Sequence, residues 1–195
     1  PMTDHPVRTI VHTDRGTLAF QEYFVRERCV PRVLRLEYAG AETAIPSFAA
    51  ARLTASPPPR AVVICPSNPW LSIGPILAIP GWRAALTATP AAVVAVSPIV
   101  GGRALKGPAA KIMAELSVEV SPLGVARYYG NLLDGLVIDE EDEALAPAIE
   151  ALGMRCIVTR TVMRTDADRA DLARTVLDFA DTLTARGAGK RAKDR

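Results

Sequence analysis

Three loops, each following an apolar run, carry the residue types that could bind or transfer an anionic group. Residues 61–65, Ala-Val-Val-Ile-Cys, break at Pro66-Ser67-Asn68-Pro69. Ser67 or Asn68 can cap a helix, and Pro69 suits its first position, where no backbone donor is needed. A strand running straight into a helix N-terminus points free N–H groups and the helix dipole at one spot, which suits a phosphate. Two readings fit these residues: a cap alone, or a cap that also holds an anion. The second loop, residues 97–108, is Ser-Pro-Ile-Val-Gly-Gly-Arg-Ala-Leu-Lys-Gly-Pro. Gly101 and Gly102 permit close backbone approach to a ligand. Arg103 offers a planar fork and Lys106 a point charge. Gly102 and Gly107 have P-loop spacing, but Pro108 stands where that motif needs Lys, so this is not a Walker site. A tight loop with solvated cations is the plain alternative. The third loop, residues 163–166, contributes Arg164, which by itself reads as a solvated turn residue.

Near the N-terminus, Asp4, His5, Arg8 and Thr9 lead into a β-branched alternation. Asp4 could ligate a hard cation or cap a turn. His5 and His12 are the only histidines. Their separation fits no metal pair on one helix turn or strand face, so both read as structural or solvated. Asp139-Glu140-Glu141-Asp142 reads as a solvated helix start favoured by the dipole. The sequence lacks a Ser-His-Asp pattern, H-E-x-x-H and G-x-G-x-x-G, which argues against a triad hydrolase, a zinc protease and the usual dinucleotide fingerprint.

Strand and helix patterns alternate around these loops. Strands are expected over residues 7–12, 33–38, 61–65, 91–97, 136–138 and 155–161. Helices are expected over residues 18–28, 46–53, 106–116, 125–133 and 141–152, the last ending at Gly153. The clearest helix, residues 169–185, has Leu172, Val176, Phe179 and Leu183 on one stripe and Gly187 as its stop. This predicts one α/β domain over residues 1–186, a mainly parallel sheet with helices on both faces, and ligands at the carboxyl ends of the strands. Residues 187–195 are expected to be a disordered basic tail, since the last six carry four basic groups and one acid. Because that tail exceeds the whole formal charge of +2, the body is close to neutral and a nucleic-acid partner is not expected. No apolar run is long enough to span a bilayer, so no membrane partner is expected either. Cys29, Cys65 and Cys156 form no C-x-x-C pair and read as reduced, buried thiols of a cytoplasmic protein.

Several long segments, in order, resemble the 2-phospho-L-lactate transferase family. Pro1-Met2-Thr3-Asp4 through Val7-Arg8-Thr9 resembles its P-M-[ST]-D-x-x-V-R-T block. Residues 19–25, Ala-Phe-Gln-Glu-Tyr-Phe-Val, resemble its L-x-F-Q-x-Y-F-V helix. Residues 67–81 resemble S-N-P-x-x-S-I-x-P-I-L-A-x-P-G, and residues 94–108 resemble the next signature almost letter for letter. The resemblance implies a Rossmann-like three-layer α/β/α fold and a magnesium-dependent transfer. A phospholactyl or phosphoenolpyruvyl group would pass from a guanosine-diphospho donor to the deazaflavin Fo, with release of GMP, in coenzyme F420 biosynthesis. Ser67, Asn68, Pro69, Ser72, Gly101 and Gly102 would bind the donor, and Arg103 and Lys106 would neutralise developing charge. Arg8 and Thr9 would bind substrate, and Asp4 would meet the metal. A homodimer is implied, with Trp82, Tyr128 and Tyr129 as interface candidates and core packing as the simpler role. Family members carry a G-G-T-G-G-x-K loop upstream of the P-M-[ST]-D block. These 195 residues therefore read as the C-terminal part of such an enzyme, with little activity alone and the first strands of the sheet missing. The alternative is a nucleotide-sugar-binding regulator of the same fold.

Overall fold

The computed structural model describes residues 1–190, with side chains to residue 183. The chain opens with β1 (Arg8–Thr13), which turns back into β2 (Gly16–Ala19). The turn closes where Thr13 Oγ1 donates to Gly16 O at 2.8 Å. The helix expected over residues 18–28 does not form. Leu18 and Ala19 pair instead with Val11 and Ile10 as hairpin partners. The rest is a single π-helical turn, Glu22–Arg26, built around the fully buried Tyr23. Cross-strand bonds to β1 override a helical spacing that the sequence carries only locally. β3 (Val33–Ala39) completes a small antiparallel sheet in the order β2-β1-β3, so the first strands stand apart from the parallel sheet.

Next come α1 (Phe48–Arg52), β4 (Ala61–Ile64), a π-helical turn at Pro69–Ile73, α2 (Gly74–Leu77) and α3 (Trp82–Ala88), the last not expected from sequence. β5 (Ala92–Val96) leads into a two-residue hairpin, β6 (Ile99–Val100) and β7 (Arg103–Ala104), then α4 (Ala109–Glu115) and α5 (Pro122–Tyr129). Positive φ at Gly107 delays the start of α4, and Ser121, whose Oγ accepts the Gly124 N–H at 3.1 Å, sets an earlier start for α5. β8 (Gly135–Ile138), α6 (Ala146–Glu150), β9 (Arg155–Val158) and α7 (Asp166–Lys190) complete the chain. α7 runs on through Gly187, the expected stop. The expected tail lies outside the described residues from 191 onward.

β4, β5, β8 and β9 form a parallel sheet in that order. All five residues of β5 are buried, which requires cover on both faces. Val93 and Ala95 face the α4–α5 side with Leu136 and Ile138. Ala92, Val94 and Val96 face α7, packing with Leu172, Val176 and Phe179. Each such fully buried Val or Leu contributes about 1.5–3 kcal/mol. Three layers result, α/β/α and Rossmann-like. Gly135 lies beneath Phe179, whose ring would stand 2.5 Å from any Cβ there. Lys111 and Glu115 tie α4 to the antiparallel sheet, with Lys111 Nζ donating to Pro31 O at 2.9 Å and Glu115 Oε2 accepting the Val33 N–H at 3.0 Å. All three cysteines are free. Cys65 is exposed rather than buried, because β4 ends the sheet and its last turn opens outward. Trp82 and Tyr129 are core residues.

Candidate functional site

The carboxyl ends of β4, β5 and β9 open on a cavity of about 380 Å³. All three loops singled out in the sequence reach it: Asn68 from the first, Ser97 and Lys106 from the second and Met163 from the third, with Thr161 and Val162 just ahead of that loop. This is where an open α/β sheet places its ligand.

Asn68 is the N-cap residue of the turn after β4. Its Oδ1 accepts the Trp70 and Leu71 N–H groups at 2.9 and 3.0 Å. Pro69 holds the first helical position, as its missing N–H predicts. With its oxygen committed, Asn68 keeps only Nδ2 for other work, and Nδ2 is buried without a protein partner among the described residues. A buried donor left unmade costs about 1–3 kcal/mol, so this amide calls for an acceptor. Two tyrosines fix the turn. Tyr128 Oη donates to Pro69 O at 3.0 Å, and Tyr38 Oη donates to Trp70 O at 2.5 Å. Burial pushes both phenols upward, which keeps them protonated as donors. Gly74 lies against both hydroxyls, with no room for a Cβ.

The second loop is the β6–β7 hairpin, with Gly101 and Gly102 at its tip at φ of 54° and 71°. Ser97, buried at its base, accepts the Ile99 N–H at 3.1 Å. Asp142 Oδ2 accepts the Gly101 N–H at 3.0 Å. Lys106, on the way out, lines the cavity. Just ahead of the third loop, the amide and hydroxyl of Thr161 both donate to Asp139 Oδ2, at 2.7 and 2.8 Å. Burial alone would raise the Asp139 carboxyl. The bonds from Thr161 and Glu141 outweigh it and hold the group below its usual range. Asp142 goes the other way: burial raises it, the Gly101 amide opposes, and the neighbouring Asp139 and Glu141 add to the rise. α7 then begins with a capping box, in which Thr165 Oγ1 accepts the Asp168 N–H at 3.2 Å and Asp168 Oδ2 accepts the Thr165 N–H at 2.8 Å. One turn on, Arg169 lines both this cavity and an adjoining apolar groove of about 500 Å³ between β4 and α7.

The structure thus brings Asn68 and Lys106 together. Ser67 and Pro69 share the Asn68 turn and Gly101 and Gly102 form the hairpin tip, but none of these four lines the cavity. Ser72 is exposed on the π-helical turn, outside the cavity lining. Arg103 is also outside it, its side chain 76% exposed and its Nη2 3.4 Å from Glu141 Oε2. Arg8 and Thr9 lie in β1, opposite Ala39 and Tyr38. Asp4 is exposed in the segment before β1, and among the described residues no three His, Cys, Asp or Glu gather where a metal could be held. Thr161, Arg169, Asp139 and Asp142 enter the site or its frame without having been expected there. The T-x-x-D spacing at 165–168 was a usable signal for the start of α7 and hence for Arg169. Among the described residues no helix is long and apolar enough to cross a membrane.

Residues 1–176 match the family described as 2-phospho-L-lactate transferase CofD. A 2-phospho-L-lactate transferase of Methanosarcina acetivorans is 41% identical over 183 residues, covering 94% of this chain and 58% of the relative. A phosphoenolpyruvate transferase of Kitasatospora aureofaciens is 40% identical over 188 residues, covering 94% of this chain and 58% of the relative. A 2-phospho-L-lactate transferase of Methanopyrus kandleri is 40% identical over 195 residues, covering 94% and 57%. The chain spans less than two thirds of the length of these relatives.

Proposed function

This chain belongs to the 2-phospho-L-lactate transferase CofD family, and on that premise we propose that it serves the transfer step of coenzyme F420 biosynthesis. The side-chain hydroxyl of Fo attacks the phosphorus that carries the lactyl or enolpyruvyl group of a guanosine-diphospho donor. A new P–O bond forms, the bond to the GMP oxygen breaks, and the hydroxyl proton is released. One observation carries this reading above all: the buried, unpartnered Asn68 amide at a cavity that Lys106 also lines. An oxygen of the donor diphosphate is the acceptor that amide lacks, and Lys106 supplies the charge. Such transfer depends mainly on positioning and charge neutralisation. Ser67, Pro69, Ser72 and the Gly101-Gly102 backbone are assigned to the donor through their motifs, from outside the cavity lining. Arg103 joins Lys106 as a neutralising cation when it leaves Glu141.

Magnesium belongs to this proposal as an ion held mainly by the donor phosphates and water. A single exposed carboxylate, Asp4, fits that habit and does not fit an ion caged by protein. When bound, it would offset phosphate charge. Arg8 and Thr9 are assigned to substrate through their motif, and a cytoplasmic homodimer completes the reading. Because the relatives are longer, the 195 residues alone are expected to bind donor and turn over little.

The test is Fo-dependent GMP release with magnesium and the activated donor, run on this chain beside a version of the relatives' full length. Release by the longer form that falls about tenfold or more in Lys106→Ala supports the reading, on the strength of one charge-assisted bond. Retained binding of a UDP-sugar, with no response to Fo, would move the assignment to a nucleotide-sugar-binding regulator.

A further inference from the structure

The acidic turn after β8 lies outside the cavity lining, yet its two buried carboxylates hold two of the three loops that form it. Asp142, 7% exposed, accepts the Gly101 N–H across 41 positions of chain. Asp139, 6% exposed, accepts both donors of Thr161 across 22 positions. The pair is locked internally as well. The Asp142 N–H donates to Asp139 O at 3.0 Å, and Asp139 Oδ1 accepts the Glu141 N–H at 3.2 Å. Buried carboxylates are tolerated only when hydrogen-bonded, and here the partners that satisfy them are loop amides.

Those loops have little of their own to hold them. β6 and β7 share only two residue pairs, Ile99 with Ala104 and Val100 with Arg103. A ladder that short is marginal in water. The Asp142 bond therefore fixes the direction in which the chain leaves the hairpin toward Lys106. Thr161 lies beyond the end of β9, so its bonds to Asp139 set where Val162 and Met163 enter the cavity wall. We propose that Asp139 and Asp142 are positioning residues for the transfer, setting the hairpin that presents Lys106 and the loop at Thr161 against the Asn68 amide. The inference rests on the transferase reading. Neither carboxylate is placed on substrate, and each acts through the loop it tethers.

The geometry makes the two aspartates answer differently to the same isosteric change. Asp142 uses one oxygen on Gly101, so Asp142→Asn can present its carbonyl oxygen and keep the bond. Asp139 accepts on both oxygens, so Asp139→Asn must turn an NH₂ toward either the Thr161 or the Glu141 N–H. In the full-length active enzyme, Asp139→Asn and Asp142→Ala should each lower kcat/KM for the donor by about 100-fold, the effect of a misplacement near 1 Å. KM for Fo should stay unchanged, and Asp142→Asn should rescue most of the loss. Amide exchange should quicken at Gly101 in Asp142→Ala and at Thr161 in Asp139→Asn, while β5 stays protected. The proposal is overturned if the variants lose only active fraction with both KM values intact, or if the two Asn variants behave alike. Wild-type enzyme that releases no GMP in response to Fo would instead sink the transferase reading. Unchanged exchange at Gly101 and Thr161 would then still overturn the tethers independently.

Discussion

Asn68→Asp separates the two jobs of one side chain. The oxygen that caps the turn is retained, so the Trp70 and Leu71 N–H groups keep their acceptor. A negative charge at the first turn of a helix is favourable by about 0.3–1 kcal/mol. That gain is opposed by the cost of burying a carboxylate oxygen where Nδ2 stood with no donor to meet it, so thermal stability should fall even though the cap is kept. The other atom changes sign: where the buried Nδ2 held an unused proton, a carboxylate oxygen now stands. Losing a hydrogen bond to a charged oxygen costs about 1.5–3 kcal/mol. At 1.36 kcal/mol per decade this is about 10- to 150-fold in affinity, before charge repulsion adds to it. Asn68→Ala is the control. It loses the cap, worth about 1 kcal/mol, so Tm should fall by about 2–4 °C for a chain of this size. Thermal unfolding and calorimetric titration with GDP, as a stand-in for the donor diphosphate, read both quantities. If the Asp variant binds GDP as the wild type does, the Asn68 amide is not a ligand donor. If the Ala variant unfolds with the wild type, the capping argument is wrong.

Gly74→Ala places a methyl group on the Tyr38 hydroxyl and 3.0 Å from the Tyr128 hydroxyl, so chemical denaturation should show a loss of about 1–3 kcal/mol that Tyr38→Phe partly relieves. Opposite pH signatures are expected from the two aspartates. The folded-state pKa of Asp142 is raised, so its ionised form costs stability above that pKa and the cost disappears as pH falls toward the unfolded value near 3.9. Asp142→Asn should therefore gain stability at neutral pH, the gap closing as pH approaches about 4. The Asp139 pKa is depressed, so its contribution is present above about pH 4 and fades as pH falls through the lower folded value. The deficit of Asp139→Asn should shrink only in that more acid range. Urea midpoints across pH read both, and a parallel response in the two variants would refute the assignment.

The parts legible in the sequence are those whose signal is local. Asn68 followed by Pro69 announces a cap and a first helical position, and both appear. The wholly apolar β5 demands a strand covered on both faces, and the stripe through Leu172, Val176 and Phe179 supplies one of the covers. Residues 18–28 misled because Leu18 and Phe24 have helical spacing while Leu18 and Ala19 are claimed by β1, a partner that propensity does not see, which leaves Phe24 in a single π-helical turn. The acidic run after β8 misled for a related reason. Asp139 and Asp142 are buried by groups 22 and 41 positions away, and nothing in four consecutive acids distinguishes a solvated helix start from a double tether. Arg103 reads as a site cation from its loop, yet its fork is turned to Glu141, again across the fold.

The contact between Gly135 and Phe179 sets how closely α7 can approach the sheet. Arg169 and Phe179 are ten residues apart on this helix, a separation of roughly 15 Å along its axis. Because the ring rests on bare backbone, α7 lies close to the sheet there, and Leu172 and Val176 continue that contact toward the Arg169 end. A side chain at position 135 would meet Phe179 and Leu183 and push the helix that carries Arg169 away from the sheet. The smallest residue in the sheet, deep inside the molecule, thus bears on the seating of a helix whose first turns reach the cavity.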